Sequence, residues 1–115
     1  MQRTCIIIGG GIAGLSAGIA MREAGYAVTI YEQAPAIEPM GAALSIWGNA
    51  MAGLDWLGCG DDLRAKAAPI GEVSLIRKDG RKLMGPMDVA ASGSFLPTRA
   101  VLQNILLRHV GAENV

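Results

Sequence analysis

The chain is poor in the residues from which metal centres and disulfide frameworks are built. Its 115 residues include two cysteines and a single histidine. Cys5 and Cys59 are far apart, with no Cys-x-x-Cys or Cys/His spacing, and His109 stands alone, so neither a metal site nor a disulfide staple is expected. Cys5 sits inside an apolar run and Cys59 between two glycines, and both read as small hydrophobes. Charge of one sign is also missing. Ten basic and ten acidic side chains cancel, and no run of Lys or Arg forms a stripe that would attract a nucleic acid backbone. No segment offers about 20 uninterrupted apolar residues, so no membrane span is expected. The apolar stretch up to Met21 imitates a secretory leader, but Gly9, Gly10, Gly11, Gly14 and Gly18 would weaken its helix at several points. A cytoplasmic location is the resulting expectation. Internal repeats and low-complexity tracts are absent.

What the chain does have is core-forming material. Hydrophobic residues make up 51% and charged residues 17%, a balance that excludes a disordered chain and suits one globular domain.

Thr4 to Ile8 is a short apolar run ending in glycines, the pattern of a strand buried on both faces of a parallel sheet. A helix follows from Ile12 to Ala24. Ile12, Leu15, Ile19 and Met21 supply its apolar positions, small residues fill the gaps, and Gly25 ends it. Ala27 to Tyr31 runs through β-branched residues as a second strand and closes a βαβ unit. Gln33 to Met40, with Pro35 and Pro39, reads as a loop, and Gly41 to Ile46 as a short strand or extended segment.

Further along, Met51, Leu54 and Leu57 mark a helix from Asn49 to Leu57, and Asp61 or Asp62 caps another that runs to Ala68. Glu72 to Arg77 and Arg81 to Met84 flank Lys78-Asp79-Gly80 as an antiparallel hairpin, an insert over about 71–85. Met87 to Phe95 has no periodic signal. Thr98 is the expected N-cap of a helix from Arg99 to His109, with Val101, Leu102, Ile105 and Leu106 facing inward and Gly111 as its stop. The lone valine after that stop resembles the entrance to another strand. The expected fold class is therefore α/β: a Rossmann-like βαβ with parallel sheet plus a small antiparallel hairpin, an incomplete domain over 1–115 with the rest of a longer protein missing.

The chemistry concentrates in Gly9-Gly10-Gly11-Ile12-Ala13-Gly14, whose Gly9, Gly11 and Gly14 have the spacing GxGxxG between a strand and a helix. Gly9 allows the turn off the strand, Gly11 lets backbone approach a pyrophosphate, and Gly14 lets the helix sit close to the sheet. Unpaired N–H groups and the helix dipole then favour an anion without any basic side chain. Glu32, at the end of the second strand, would accept ribose hydroxyls and repel the 2′-phosphate of NADP. Strand, loop, helix and terminal acid together identify a dinucleotide site, although this logic serves NAD and FAD alike.

From Cys5 to Pro35 the sequence CIIIGGGIAGLSAGIAMREAGYAVTIYEQAP resembles the opening FAD-binding segment of flavoproteins. The stretch Gly41 to Ala50, the turn Leu54 to Gly58, and Arg99, Leu102 and Leu106 as R-x-x-L-x-x-x-L extend the likeness to the p-hydroxybenzoate hydroxylase-like monooxygenases, nearest the urate and salicylate hydroxylase-like branch. Two positions depart from that pattern: Gly48 stands where a proline is common, and Gln33 where many relatives have arginine. The resemblance implies FAD held by Gly9, Gly11, Ile12, Ala13, Gly14, Glu32, Gln33 and Arg99, with NAD(P)H as electron donor. It further implies a parent enzyme that hydroxylates a small aromatic or heteroaromatic substrate with O2. Arg99 suits this independently, because a cation in the first turn of a helix is unfavourable unless an anion lies nearby.

The family's later Asp-Gly and Gly-Asp motifs are absent from the sequence, no residues form a convincing catalytic pair, and the 115 residues alone are expected to be inactive. His109 reads as a surface residue interacting with a helix C-terminus. Two other readings remain open. One is an oxidase or desaturase of the amine-oxidase type, which shares the opening GGGIAGLSA but has a Gly-Gly-Arg where this chain has Pro39-Met40-Gly41-Ala42-Ala43. The other is a non-catalytic nucleotide-binding module. Substrate, oligomeric state and catalytic residues are not specified.

Overall fold

Extended, apolar backbone at the start of the chain forms two parallel strands, β1 (Thr4–Ile8) and β2 (Ala27–Tyr31), joined by helix α1 (Ile12–Glu23). The computed structural model describes residues 1–36 and 41–115. Pro39 and Met40, in the expected loop, lie outside the described residues. Onward come α2 (Gly48–Trp56), α3 (Gly60–Lys66), β3 (Ala68–Pro69), β4 (Glu72–Ile76), β5 (Lys82–Asp88), β6 (Phe95–Leu96) and α4 (Arg99–Val110). Three separate two-stranded sheets result: β1 with β2 in parallel, and β3 with β6 and β4 with β5 antiparallel.

The register of the parallel pair runs from Thr4 opposite Ala27 to Ile8 opposite Tyr31. Successive side chains of a strand point to opposite faces, so Cys5, Ile7, Val28 and Ile30 share one face. That face packs on α1 and α4, where Leu15, Ile19, Leu102, Ile105, Leu106 and Val110 complete the core. Burying each such aliphatic side chain stabilises the fold by about 1.5–3 kcal/mol. Gly18 sets how closely the layers meet: a methyl there would come 2.8 Å from Ile30 Cδ1 and 2.9 Å from Val110 Cγ2.

Burial on both sheet faces is not what the structure shows. Ile6 is 66% exposed, Ile8 81% and Tyr31 58%, because both packed helices lie on the opposite face and no described element covers this one. The composition of β1 reports the apolarity of its surroundings in a full sheet and cannot report that a layer is missing.

The C-terminal half follows the expected helices with shifted ends. Leu63, in α3, and Met51 and Leu54, in α2, join the core, while Leu57 is half-buried. Neither Asp61 nor Asp62 caps α3. Cys59 holds the N-cap position without a side-chain bond, and both aspartates lie inside the first turn. There they bond to side chains, Asp61 to Arg64 at 3.2 Å and Asp62 to His109 at 2.7 Å. The hairpin turns at Gly80, with φ of +89°, and its second strand continues to Asp88, beyond the expected end near 85. Pairing irregularities between Val73 and Ile76 absorb the mismatch that hides this strand from a period-two pattern.

The stretch without periodic signal holds the end of β5, a 3-10 turn (Ala90–Ser92) and β6. Ala43 and Ile46 form isolated bridges to Thr98 and Phe95, so the Gly41 to Ile46 segment is extended rather than a full strand. Thr98 caps α4 as expected, its Oγ1 accepting the Val101 N–H at 3.2 Å. After Gly111 the chain makes a 3-10 turn (Ala112–Asn114) that leads to Val115.

Candidate dinucleotide-binding site

The loop between β1 and α1 is fastened to the end of β2 by two successive amides. Gly9, whose φ of +102° only glycine adopts readily, donates its N–H to the Tyr31 carbonyl at 2.7 Å. Gly10, which is buried, donates to Glu32 Oε2 at 2.6 Å. A methyl on Gly10 would lie 3.1 Å from both Cβ and Oε2 of Glu32, which accounts for a glycine that the GxGxxG spacing leaves unassigned. The one sign of it in the sequence was the unbroken run of three glycines.

Gly11 is the N-cap of α1 in extended conformation, and no side chain caps the helix. Among the described residues, the N–H groups of Gly11, Ile12, Ala13 and Gly14 donate to no side chain or loop carbonyl. They are the orphan donors at the positive end of the helix. The flanking glycines differ sharply. A methyl on Gly14 would stand 1.9 Å from the Gly9 carbonyl oxygen, so this glycine is required by the protein's own packing. A methyl on Gly11 would meet nothing within 4 Å. Protein packing thus leaves Gly11 unexplained, and the open amides beside it are of the kind that suit an anion.

Glu32 closes the site at the end of β2. Its Oε1 accepts the Ala34 N–H at 3.0 Å while Oε2 holds Gly10 at 2.6 Å. The Ala34 amide first, then that of Gly10, hold the carboxyl below the usual glutamate range, against a smaller opposing effect of desolvation. The carboxylate is therefore ionised at neutral pH, and of its roughly four acceptor positions about two remain free. Beside it lies a cavity of about 270 Å³ whose walls include Gly10, Glu32, Ala34, Pro35 and Leu107. Gln33 is exposed and, among the described residues, makes no side-chain hydrogen bond.

Arg99 sits in the first turn of α4, with its backbone N–H bonded to the Ala42 carbonyl at 2.9 Å. Its side chain is exposed and pairs with no carboxylate among the described residues. The two helices run side by side in the same direction. Ile12 and Leu102, near their starts, line one apolar cavity of about 480 Å³, while Arg22 donates to the Val110 carbonyl at their other end. Arg99 thus shares an end of the helix pair with the glycine loop. His109 is not simply a dipole-facing surface residue, since its Nε2 meets Asp62 Oδ2 at 2.7 Å and ties α4 to α3. Among the described residues, no cluster of His, Cys, Asp and Glu could hold a metal ion.

Strand, glycine loop, helix and terminal acid define a dinucleotide-binding unit of Rossmann type. Residues 7–42 match the model of an NAD(P)-binding Rossmann-like domain. An aurachin C monooxygenase/isomerase from Stigmatella aurantiaca is 34% identical over 97% of this chain and 30% of its own length. An FAD-dependent urate hydroxylase from Klebsiella pneumoniae is 40% identical over 56% of this chain and 17% of its own length. Among solved structures, 2-methyl-3-hydroxypyridine-5-carboxylic acid oxygenase superposes with a TM-score of 0.87 at 24% identity, over 99% of this chain and 30% of that one. Klebsiella pneumoniae HpxO, complexed with FAD and uric acid, does so with a TM-score of 0.83 at 28% identity, over 98% of this chain and 30% of that one. This chain is thus similar to part of relatives named as monooxygenases and FAD-dependent hydroxylases. It spans about 30% of the length of the curated relative that it matches from end to end.

Proposed function

We propose that residues 1–115 are the N-terminal part of an FAD-binding domain, with the hairpin 72–88 as a small insert, in an enzyme that hydroxylates an aromatic or heteroaromatic small molecule. The observation that carries the cofactor reading is Gly11, a glycine with open space before it at the uncapped start of α1. In this reading Gly9 makes the turn that presents the open amides of Gly11, Ile12, Ala13 and Gly14 to the pyrophosphate, Glu32 accepts the ribose hydroxyls, and Gln33, next in sequence, serves the same adenosine end. Arg99 contributes positive charge from the start of α4. NAD(P)H as reductant and O2 as co-substrate complete the proposal, and relatives named as a monooxygenase and an FAD-dependent urate hydroxylase support it. Bound flavin would supply the redox chemistry.

The amine-oxidase reading gains no support from these relatives, which are named as monooxygenases and hydroxylases. Among the described residues no helix is long and apolar enough to cross a membrane; cytoplasmic residence is part of this proposal. So is the absence of turnover by residues 1–115 alone, since the site described here binds and orients but offers no group to react. The test is purification of the protein with any natural extension. It is expected to be yellow and to oxidise NADH or NADPH faster when an aromatic substrate is present. A colourless protein that takes up no FAD overturns the reading.

A further inference from the structure

The Glu32 carboxylate does more than wait for a ribose. We propose that Glu32 is the positioning residue of the glycine loop: before any nucleotide binds, its carboxylate clamps the Gly10 and Ala34 amides and so holds together two walls of the adenosine cavity. Only the consequence for binding rests on the dinucleotide reading; the clamp itself is a property of the chain alone.

Three observations converge on it. The carboxylate uses one oxygen for each wall, Oε2 for Gly10 at 2.6 Å and Oε1 for Ala34 at 3.0 Å. Among the described residues, the 33–36 turn has no hydrogen bond to the rest of the molecule except through this carboxylate. Gly10 is buried, and its N–H would be left unsatisfied if the carboxylate turned away. The absent side chain at Gly10 fits the same arrangement, because a methyl there would press on Glu32 Cβ and Oε2, each at 3.1 Å. No Lys, Arg or His among the described residues pairs with Glu32, so backbone amides orient it, those of Ala34 and Gly10 first and that of Gln33 least. A ribose then meets a carboxylate already fixed, and less conformational freedom is lost on binding.

Amide hydrogen exchange of the full chain without nucleotide tests the clamp directly. The Gly10 and Ala34 amides should exchange roughly tenfold or more faster in Glu32→Gln, whose side-chain amide can accept from one N–H but turns a donor toward the other. The Gly9 amide, held by the Tyr31 carbonyl, should not change. Equal exchange in wild type and variant overturns the proposal.

Titrations with ADP and with inorganic pyrophosphate, followed by amide chemical shifts, supply the second readout. A clamp weakens both ligands in Glu32→Gln, whereas a mere ribose contact weakens ADP and leaves pyrophosphate unchanged, which overturns it. Gly10→Ala should weaken ADP as well, and its loss should not add to that of Glu32→Gln; full additivity counts against the clamp. Should Glu32→Gln fail to fold, the wild-type acid titration decides. The Gly10 and Ala34 amide protons should move together with one carboxylate, and independent behaviour overturns the proposal. If neither ligand binds the wild type while the exchange pattern holds, the clamp stands and the dinucleotide reading falls.

Discussion

The Cα of Gly14 lies so close to the Gly9 carbonyl oxygen that a methyl group on it would stand 1.9 Å away. This contact seats the first turn of α1 against the end of β1, and it sets the direction in which the open amides point. Gly14→Ala has no flexible neighbour to displace, only backbone. It is expected to destabilise the fold by about 1–3 kcal/mol, as overpacking does, read as a lower urea midpoint, and to abolish ADP binding. An unchanged midpoint would show that the loop is held less tightly than this contact requires.

Gly11→Ala should behave in the opposite way. The residue has an ordinary extended conformation, and the added methyl would meet no protein atom within 4 Å. Stability should stay within about 0.5 kcal/mol of wild type, while ADP affinity falls because the methyl occupies the approach to the phosphates. Intact affinity would mean that the pyrophosphate does not lie against this glycine.

Arg99 offers a similar separation of stability from binding. Its side chain is exposed and without a carboxylate partner among the described residues, so Arg99→Ala should leave the unfolding midpoint unchanged. FAD affinity of the protein with any natural extension should drop by roughly tenfold if the guanidinium meets an anionic or polar part of the cofactor. Isothermal titration with FAD gives both the sign and the size.

Asp62 makes stability depend on pH in a definite sense. Its hydrogen bond from His109, and the nearby charges of His109, Arg108 and Lys66, hold its carboxyl below the usual aspartate range. A carboxyl with a lowered folded-state pKa contributes stability that is present above its unfolded value of about 3.9 and is lost as pH falls through the lower folded value. Thermal unfolding between neutral and strongly acidic pH should therefore show an acid loss that is smaller in Asp62→Asn. An identical acid loss in both proteins would assign the effect to other carboxylates.

Cys59 is fully buried, and burial first, then the charges of Asp62 and Glu23, push its thiol up to about 11. It should resist alkylation by iodoacetamide at pH 8 in the folded chain and react once the chain is unfolded. Rapid modification of Cys59 in the folded state, located by peptide mass, would show that α3 opens readily.

Local physics made much of this molecule legible from its residues. The span of β1, Thr4 to Ile8, and that of β2, Ala27 to Tyr31, follow from short apolar, largely β-branched runs, and the glycines after β1 and at Gly25 punctuate them. Thr98 as cap and Leu102, Ile105 and Leu106 as the inner face of α4 follow from helical period and capping chemistry, which act within a few residues. The same holds for Gly9 at the turn off β1, Gly11 at the start of α1 and Gly14 at the close approach between them.

Contacts between distant residues decided the rest, because no local pattern encodes them. Only the folded chain shows that Glu32 reaches back to Gly10, that Asp62 meets His109 instead of capping α3, and that β5 runs on to Asp88 through an irregular register. Exposure of Ile6, Ile8 and Tyr31 belongs to this class as well. Sequence determined which loop leaves its amides open at a helix start, since backbone conformation and helix polarity are local. Tertiary structure decided how that loop is held in place, since the carboxylate that holds it arrives from another strand.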